Sequence, residues 1–345
     1  MSRTAVVICP GRGTYNKPEL GYLARYHAGQ SAMIADFDAQ RQAAGQTAVS
    51  ELDAANRFSV ATYSRGDVAS GLIYACGLAD ARALADDIEV VAVTGNSMGW
   101  YTALAAGGAL SPGDGFRVVN TMGTLMQQYL IGGQLVYPFV GGDWSDDPAR
   151  KAALLADVAA IDARPGHVLG LSIDLGGMLV LAGDEAGLAA FEADHPVIDG
   201  RFPMRLANHA GFHTALQDPV AQAGRQQLPA AMFGQPDVPL IDGRGAVWWP
   251  GACDTGALWD YTLGHQVVQP YDFTRAIATA AREFAPDLFI VTGPGDTLGG
   301  AVAQSLVLAN WRGMTGKSDF ARLQSEGPLL AAMGRPDQRS VVIPT

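Results

Sequence analysis

The sequence predicts an α/β fold with a largely parallel sheet and one small inserted unit. Three observations carry that expectation. Short β-rich runs alternate with longer helical stretches along most of the chain. The clearest runs, Ala5–Cys9, Glu89–Thr94 and Leu288–Thr292, each lead into a glycine-bearing turn. From about Gly132 to Leu206 the order becomes strand, helix, paired strands, helix, strand, which is that of a small ferredoxin-like unit.

Taken in order, Ala5–Cys9 is an apolar run entering Pro10-Gly11-Arg12-Gly13. Glu89–Thr94 enters Gly95-Asn96-Ser97-Met98-Gly99, and Leu288–Thr292 enters Gly293-Pro294-Gly295. Ligands bind at the carboxyl ends of strands in open α/β sheets, so these three turns outline one site. Inside the insertion, Gln134–Val140, Val168–Asp174 and Gly177–Ala182 read as strands, with helices near Pro148–Ile161 and Glu185–Asp194.

Composition narrows the class. Hydrophobic residues are 48% of the 345 and charged residues 17%, a globular balance. The formal charge of −11 argues against a nucleic-acid partner. No apolar run reaches the length of a membrane span, and the first residues lack the order of a signal peptide. Cys9, Cys76 and Cys253 are odd in number and lack metal-ligand spacing, so neither a disulfide framework nor a metal site is expected. These features describe a soluble cytoplasmic protein. After Trp311 the charge balance turns basic, through Arg312, Lys317, Arg322, Arg335 and Arg339, and this tail reads as a solvated C-terminal extension.

Chemistry enters at Ser97. Val90–Thr94 is a buried-strand pattern, Gly95–Gly99 is G-x-S-x-G, and Trp100–Ala106 is rich in helix formers. Strand, G-x-S-x-G and helix together form the setting of a nucleophile elbow, in which the serine sits on a strained turn at a helix N-terminus. The elbow makes the larger unit α/β-hydrolase-like. It is assigned to residues 1–131 and 207–345, with 311–345 as the extension and 132–206 as the ferredoxin-like insertion. A serine needs a base, and of six histidines His209 and His213 lie in a segment that opens a helix.

These segments resemble the malonyl-CoA:acyl-carrier-protein transacylases and the acyltransferase domains of polyketide synthases. The likeness covers roughly residues 4 to 310, with its landmarks in the family's order. Pro10-Gly11-Arg12-Gly13 is similar to the family's P-G-Q-G oxyanion loop, and Gly95–Gly99 to its G-H-S-x-G. Gly123-Thr124-Leu125-Met126-Gln127 is similar to R-G-x-x-M-Q without the arginine, and Phe212-His213-Thr214-Ala215-Leu216 to F-H-[ST]-x-L. Gln266-Val267-Val268-Gln269-Pro270 and Gly293-Pro294-Gly295 are similar to Q-L-x-x-P-V and G-P-G.

The resemblance implies that Ser97 attacks the thioester of an acyl-CoA with His213 as base. The acyl-enzyme then passes its acyl group to the phosphopantetheine thiol of an acyl carrier protein. It implies backbone N–H groups of Met98 and Arg12 as the oxyanion hole, and a carbonyl of Gln266, rather than a carboxylate, orienting the histidine. It implies no permanently bound cofactor and makes His209 a residue lining the site. Asp218 and Asp272 lie close in sequence to the right segments but are given no role.

Four departures concern substrate choice. Met122 stands where malonyl enzymes carry an arginine for the malonyl carboxylate, and Arg117, five residues earlier, would face elsewhere on a helix. Arg12 replaces the oxyanion-loop glutamine, and Arg65 falls where the family has T-Q-P. Asn96 and Trp100 replace the usual histidine and glutamate around the serine. Arg65, Asn96, Trp100, Met122, His209 and Phe212 are therefore expected around the acyl pocket. Met122 favours a neutral acyl group, while Arg12 and Arg65 would suit an acidic one or the coenzyme phosphates. A thioester hydrolase and a non-catalytic relative are the alternatives.

Overall fold

The computed structural model describes residues 2–344. Its strands are β1 Arg3–Cys9, β2 Ile88–Gly95, β3 Gly133–Pro138, β4 Leu169–Leu175, β5 Met178–Gly183 and β6 Met204–Arg205. They continue with β7 Leu240–Ile241, β8 Val247–Trp248, β9 Tyr271–Asp272, β10 Leu288–Val291 and β11 Leu330–Ala332. Two sheets result, ordered β11-β10-β1-β2-β7-β8 and β6-β3-β5-β4-β9.

The large sheet is parallel from β11 to β7, and only β8 returns antiparallel. The α/β class with a parallel sheet is therefore as the alternation of runs suggests. Strand β1 shows why its sequence is apolar without interruption. Val7 and Cys9 enter the core on one face, under the helices Gly66–Ala81, Gly99–Ala106 and Pro112–Tyr129. Val6 and Ile8 enter the core on the other, with the helices Phe273–Phe284 and Leu298–Leu308. A strand covered on both faces has no solvent side to mark with polar residues.

Register positions the site. Cys9 pairs with Gly95, so β1 and β2 end level and release their loops side by side. Val291 pairs with Ile8, which brings the Gly293-Pro294-Gly295 turn to the same end of the sheet.

In the small sheet, β6, β3, β5 and β4 are mutually antiparallel, with the helix Pro148–Asp162 between β3 and β4 and Glu185–Asp194 between β5 and β6. With β3 as its first strand, this unit has the spatial order 4-1-3-2 of a ferredoxin-like sheet. Strand β9 comes from outside it and pairs in parallel with β4, Ile173 opposite Tyr271. The four strands β7, β8, β9 and β11 are not apparent in the sequence, because two or three residues are too few to show a period.

The tail corrects the sequence reading. It is not a solvated extension: β11 adds an edge strand beside β10, and Met333 and Val342 are buried. Arg339 is 3% exposed, and its Nη1 lies 2.7 Å from a carboxylate oxygen of Asp80, itself fully buried. Asp80 also meets His27 Nε2 at 2.7 Å and accepts from the Gly293 N–H at 2.6 Å. Part of the basic charge that suggested solvation is thus an internal counter-ion.

Cys9, Cys76 and Cys253 are free and buried, and burial pushes the Cys9 thiol up to about 12. Among the described residues no helix is long and apolar enough to cross a membrane.

Candidate active site

The elbow is built by close contact. A Cβ on Gly95 would come within 2.2 Å of the Gly99 carbonyl, and one on Gly99 within 2.1 Å of the Cys9 carbonyl. Only glycine lets β1, β2 and the Gly99–Ala106 helix converge this tightly. The turn forces Ser97 to φ 55°, left-handed backbone that a non-glycine residue adopts at a cost.

Ser97 Oγ lies 2.7 Å from His213 Nε2. His213 Nδ1 lies 2.6 Å from the Gln266 carbonyl, which can only accept, so the proton is on Nδ1 and Nε2 carries the lone pair. His213 is itself left-handed, φ 58°, and its N–H donates to the Val267 carbonyl at 3.1 Å. Both carbonyls lie in the short helix Gln266–Val268, which follows the π-helical turn Tyr261–His265. Burial holds the His213 pKa down to about 4 against a smaller upward pull from the Gln266 carbonyl, so the imidazole is neutral at neutral pH. The ring has no carboxylate partner among the described residues. Asp272 caps the following helix at Arg275, and Asp218 begins the helix Asp218–Gln227.

The geometry is a serine hydroxyl facing the lone pair of a neutral imidazole, an arrangement that can activate a nucleophile. The N–H groups of Met98 and Arg12 donate to no protein acceptor among the described residues, although Met98 stands at a helix N-terminus. Two cavities meet at Ser97. One, of about 330 Å³, runs from the Gly11–Thr14 loop to small-sheet side chains such as Val136, Val180 and Leu206. The other, of about 20 Å³, is enclosed by Met98, Tyr101, Met126, His213 and Gln266. Arg12 and Phe212 line both, while Asn96 and His209 line the larger.

The Arg12 guanidinium donates from Nη2 to the carbonyls of Ser64 and Asn208 and lies 5.4 Å from the Phe212 ring centroid. Burial lowers its pKa to about 10. His209 Nδ1 lies 2.9 Å from Gln134 Oε1, and Gln134 donates to Ser172, which donates to the Phe212 carbonyl. Burial first, and the nearby Arg12 charge second, hold the His209 pKa well below its ordinary value.

Three expected pocket residues lie elsewhere. Trp100 is fully buried; its indole donates to Thr262 at 3.0 Å and its ring packs edge-on to Tyr261, so it is core. Met122 is fully buried against the Asp218–Gln227 helix, where a Cβ on Gly224 would come within 2.6 Å of its sulfur, and it lines neither cavity. Arg65 turns to its own helix start, its Nε 3.0 Å and Nη2 2.9 Å from the Asp67 carboxylate, and lines neither cavity. Arg117 donates to the Gln227 carbonyl at 3.3 Å, away from Ser97.

Two contacts escaped sequence reasoning. The Gln266 side-chain amide donates to the Ser97 carbonyl at 3.0 Å, and the Tyr101 hydroxyl donates to Gln266 Oε1 at 3.2 Å. Tyr101 was within reach, being on the elbow helix four residues after the serine; nothing local marks Gln134. Among the described residues no group of His, Cys, Asp and Glu is arranged to hold a metal.

Comparison with known proteins adds relatives to this geometry. No family model matches the chain. A malonyl CoA-acyl carrier protein transacylase of Bacillus subtilis is 27% identical over 211 residues, which are 60% of this chain and 62% of that protein. The polyketide synthase GfsB of Streptomyces halstedii is 26% identical over 229 residues, 66% of this chain and 4% of that one. The matches thus span less than two thirds of these relatives. Among solved structures, a malonyl-CoA:acyl carrier protein transacylase of Xanthomonas oryzae superposes with TM-score 0.75 at 20% identity, covering 99% of this chain and 98% of that one. A malonyl-transacylase in complex with a type II polyketide synthase acyl-carrier protein superposes at 0.70 with 19% identity, covering 88% and 93%. The solved structures share the fold, and the curated relatives bear out the resemblance read from the motifs.

Proposed function

We propose that this chain is an acyl-CoA:acyl-carrier-protein S-acyltransferase working through an acyl ester on Ser97. The observation that carries the proposal is the line from Ser97 through a neutral His213 to the Gln266 carbonyl, at 2.7 and 2.6 Å. His213 Nε2 takes the Ser97 proton as Oγ adds to the thioester carbonyl. The oxyanion is stabilised by the Met98 and Arg12 N–H groups, and the same proton then goes to the departing coenzyme A sulfur. A phosphopantetheine thiol of an acyl carrier protein attacks the ester next, losing its proton to His213; the bond to Ser97 Oγ breaks, His213 returns the proton to Oγ, and the carrier leaves with the acyl group.

The names of the relatives support the donor and acceptor classes, a coenzyme A thioester and a carrier protein, and the reading includes no permanently bound cofactor. The same reading puts the enzyme in the cytoplasm and divides it into the catalytic unit (1–131, 207–345) and the ferredoxin-like unit (132–206). Met122 lies in the core and lines neither cavity, so it supplies neither a wall nor a charge to the acyl group.

Intact-mass spectrometry tests the proposal. The protein should gain one acyl mass from acyl-CoA, mapped to Ser97, and lose it rapidly to a phosphopantetheinylated carrier. Equally fast loss to water without the carrier would make it a hydrolase.

A further inference from the structure

Arg12 is a cation inside the site with no ion-pair partner among the described residues. Its Nη2 is taken by two neutral carbonyls, its Nε is buried and donates to no acceptor, and no carboxylate lies within ion-pair distance among the described residues. The carboxylate that most influences its charge, Asp67, is already paired with Arg65. The other titratable group on that wall, His209, is kept neutral, and the one carboxylate that acts on Arg12 is already matched by Arg65. A buried charge without a partner is costly, and the cost is removed when a ligand supplies the opposite charge.

The position says what kind of ligand. Arg12 and Ser97 both line both cavities. The coenzyme phosphates are separated from the thioester carbonyl by the whole pantetheine arm, so a cation beside the nucleophile meets the acyl end instead. Met122, where the resembling family carries its arginine, is packed away in the core.

We propose that Arg12 is the specificity-determining residue of this site, its guanidinium holding a carboxylate at the far end of the acyl group from the oxyanion-loop side of Ser97. One residue then serves both charges of the reaction: its backbone N–H faces the oxyanion and its side chain the substrate's permanent anion. This rests on the acyl-enzyme reading above. It needs no new bond, only a charge-assisted hydrogen bond from donors that the fold leaves free.

The test compares malonyl-CoA with acetyl-CoA as donors to the full chain, as unmodified protein and as Arg12→Gln and Arg12→Lys. Circular dichroism and a thermal melt report folding. The unmodified protein should prefer malonyl-CoA in kcat/KM. Arg12→Gln should reduce the malonyl-to-acetyl ratio by on the order of 100-fold, the scale for removing one partner of a buried charge pair, with Lys recovering part of it. The same ratio is read as equilibrium affinity in a Ser97→Ala background, where no chemistry occurs. A preference for acetyl-CoA in the unmodified protein, or a ratio unmoved by Arg12→Gln in both measurements, overturns the proposal. If neither donor acylates the protein while Ser97→Ala still shows the Arg12-dependent ratio, the binding role stands and the acyl-enzyme reading falls. A misfolded Arg12→Gln transfers the decision to Arg12→Met, an uncharged side chain of similar length, whose unchanged ratio would equally overturn it.

Discussion

The side-chain amide of Gln266 donates to the backbone carbonyl of Ser97 at 3.0 Å, while its own carbonyl accepts from His213. One residue therefore fixes both the turn that carries Ser97 and the ring of His213. Gln266→Leu keeps the carbonyl and removes the amide. It should lower kcat about tenfold with little change in KM, as expected for roughly one lost hydrogen bond expressed in the transition state. Steady-state kinetics with a saturating carrier would show this, and an unchanged kcat would reduce the amide to a bystander.

Ser97→Ala should abolish acyl-enzyme formation with the fold retained, and any full acyl adduct on that variant would reassign the nucleophile. His213→Ala should slow turnover by about 100-fold or more, the scale of general-base assistance. His209→Ala should cost less, because His209 bonds to Gln134 and not to Ser97. The reverse order would exchange the two roles.

The depressed His213 pKa sets a pH profile. With a value of about 4 the base is already free above that pH, so kcat/KM should be level through neutrality and fall on an acid limb near 4. Stability follows a different window. Below about pH 6.5 the unfolded histidine takes up a proton that the folded one refuses, so stability falls as pH drops from there towards 4. Buried His209, shifted the same way, adds to the loss. An acid limb near 6.5 in kcat/KM would show that the base is exposed.

Two substitutions separate core from pocket. Trp100→Ala should cost about 3–5 kcal/mol in a denaturant titration, since it empties a fully buried indole site. Met122→Arg should likewise destabilise the protein, by forcing a cation into a filled helix interface, and should not raise the preference for malonyl-CoA. A shift toward malonyl-CoA at full stability would put residue 122 back in the pocket.

Much of this was legible before the structure, for identifiable reasons. The elbow could be read because its glycines are dictated by backbone contacts within a few residues, and G-x-S-x-G preserves them. His213 could be read because its segment is contiguous. Trp100, Met122 and Arg65 were misplaced because a side chain's direction depends on the element packed against it. Gly224 makes room for Met122 from a helix about 100 residues later, and Asp67 draws Arg65 off locally. The tail was misread because charge was counted without knowing that Asp80 lay buried at the other end of the ion pair.

The pairing of Asp80 with Arg339 also orders events during synthesis. His27 and Arg339, which share that carboxylate, are 312 residues apart. The ribosome must deliver nearly all of this chain before the buried acid meets its cation and β11 covers the open side of β10. A nascent chain that stalls earlier leaves the buried acid without its arginine and a bare parallel edge along β10, a surface open to pairing with other chains. An interrupted copy thus exposes the two features that the finished one covers.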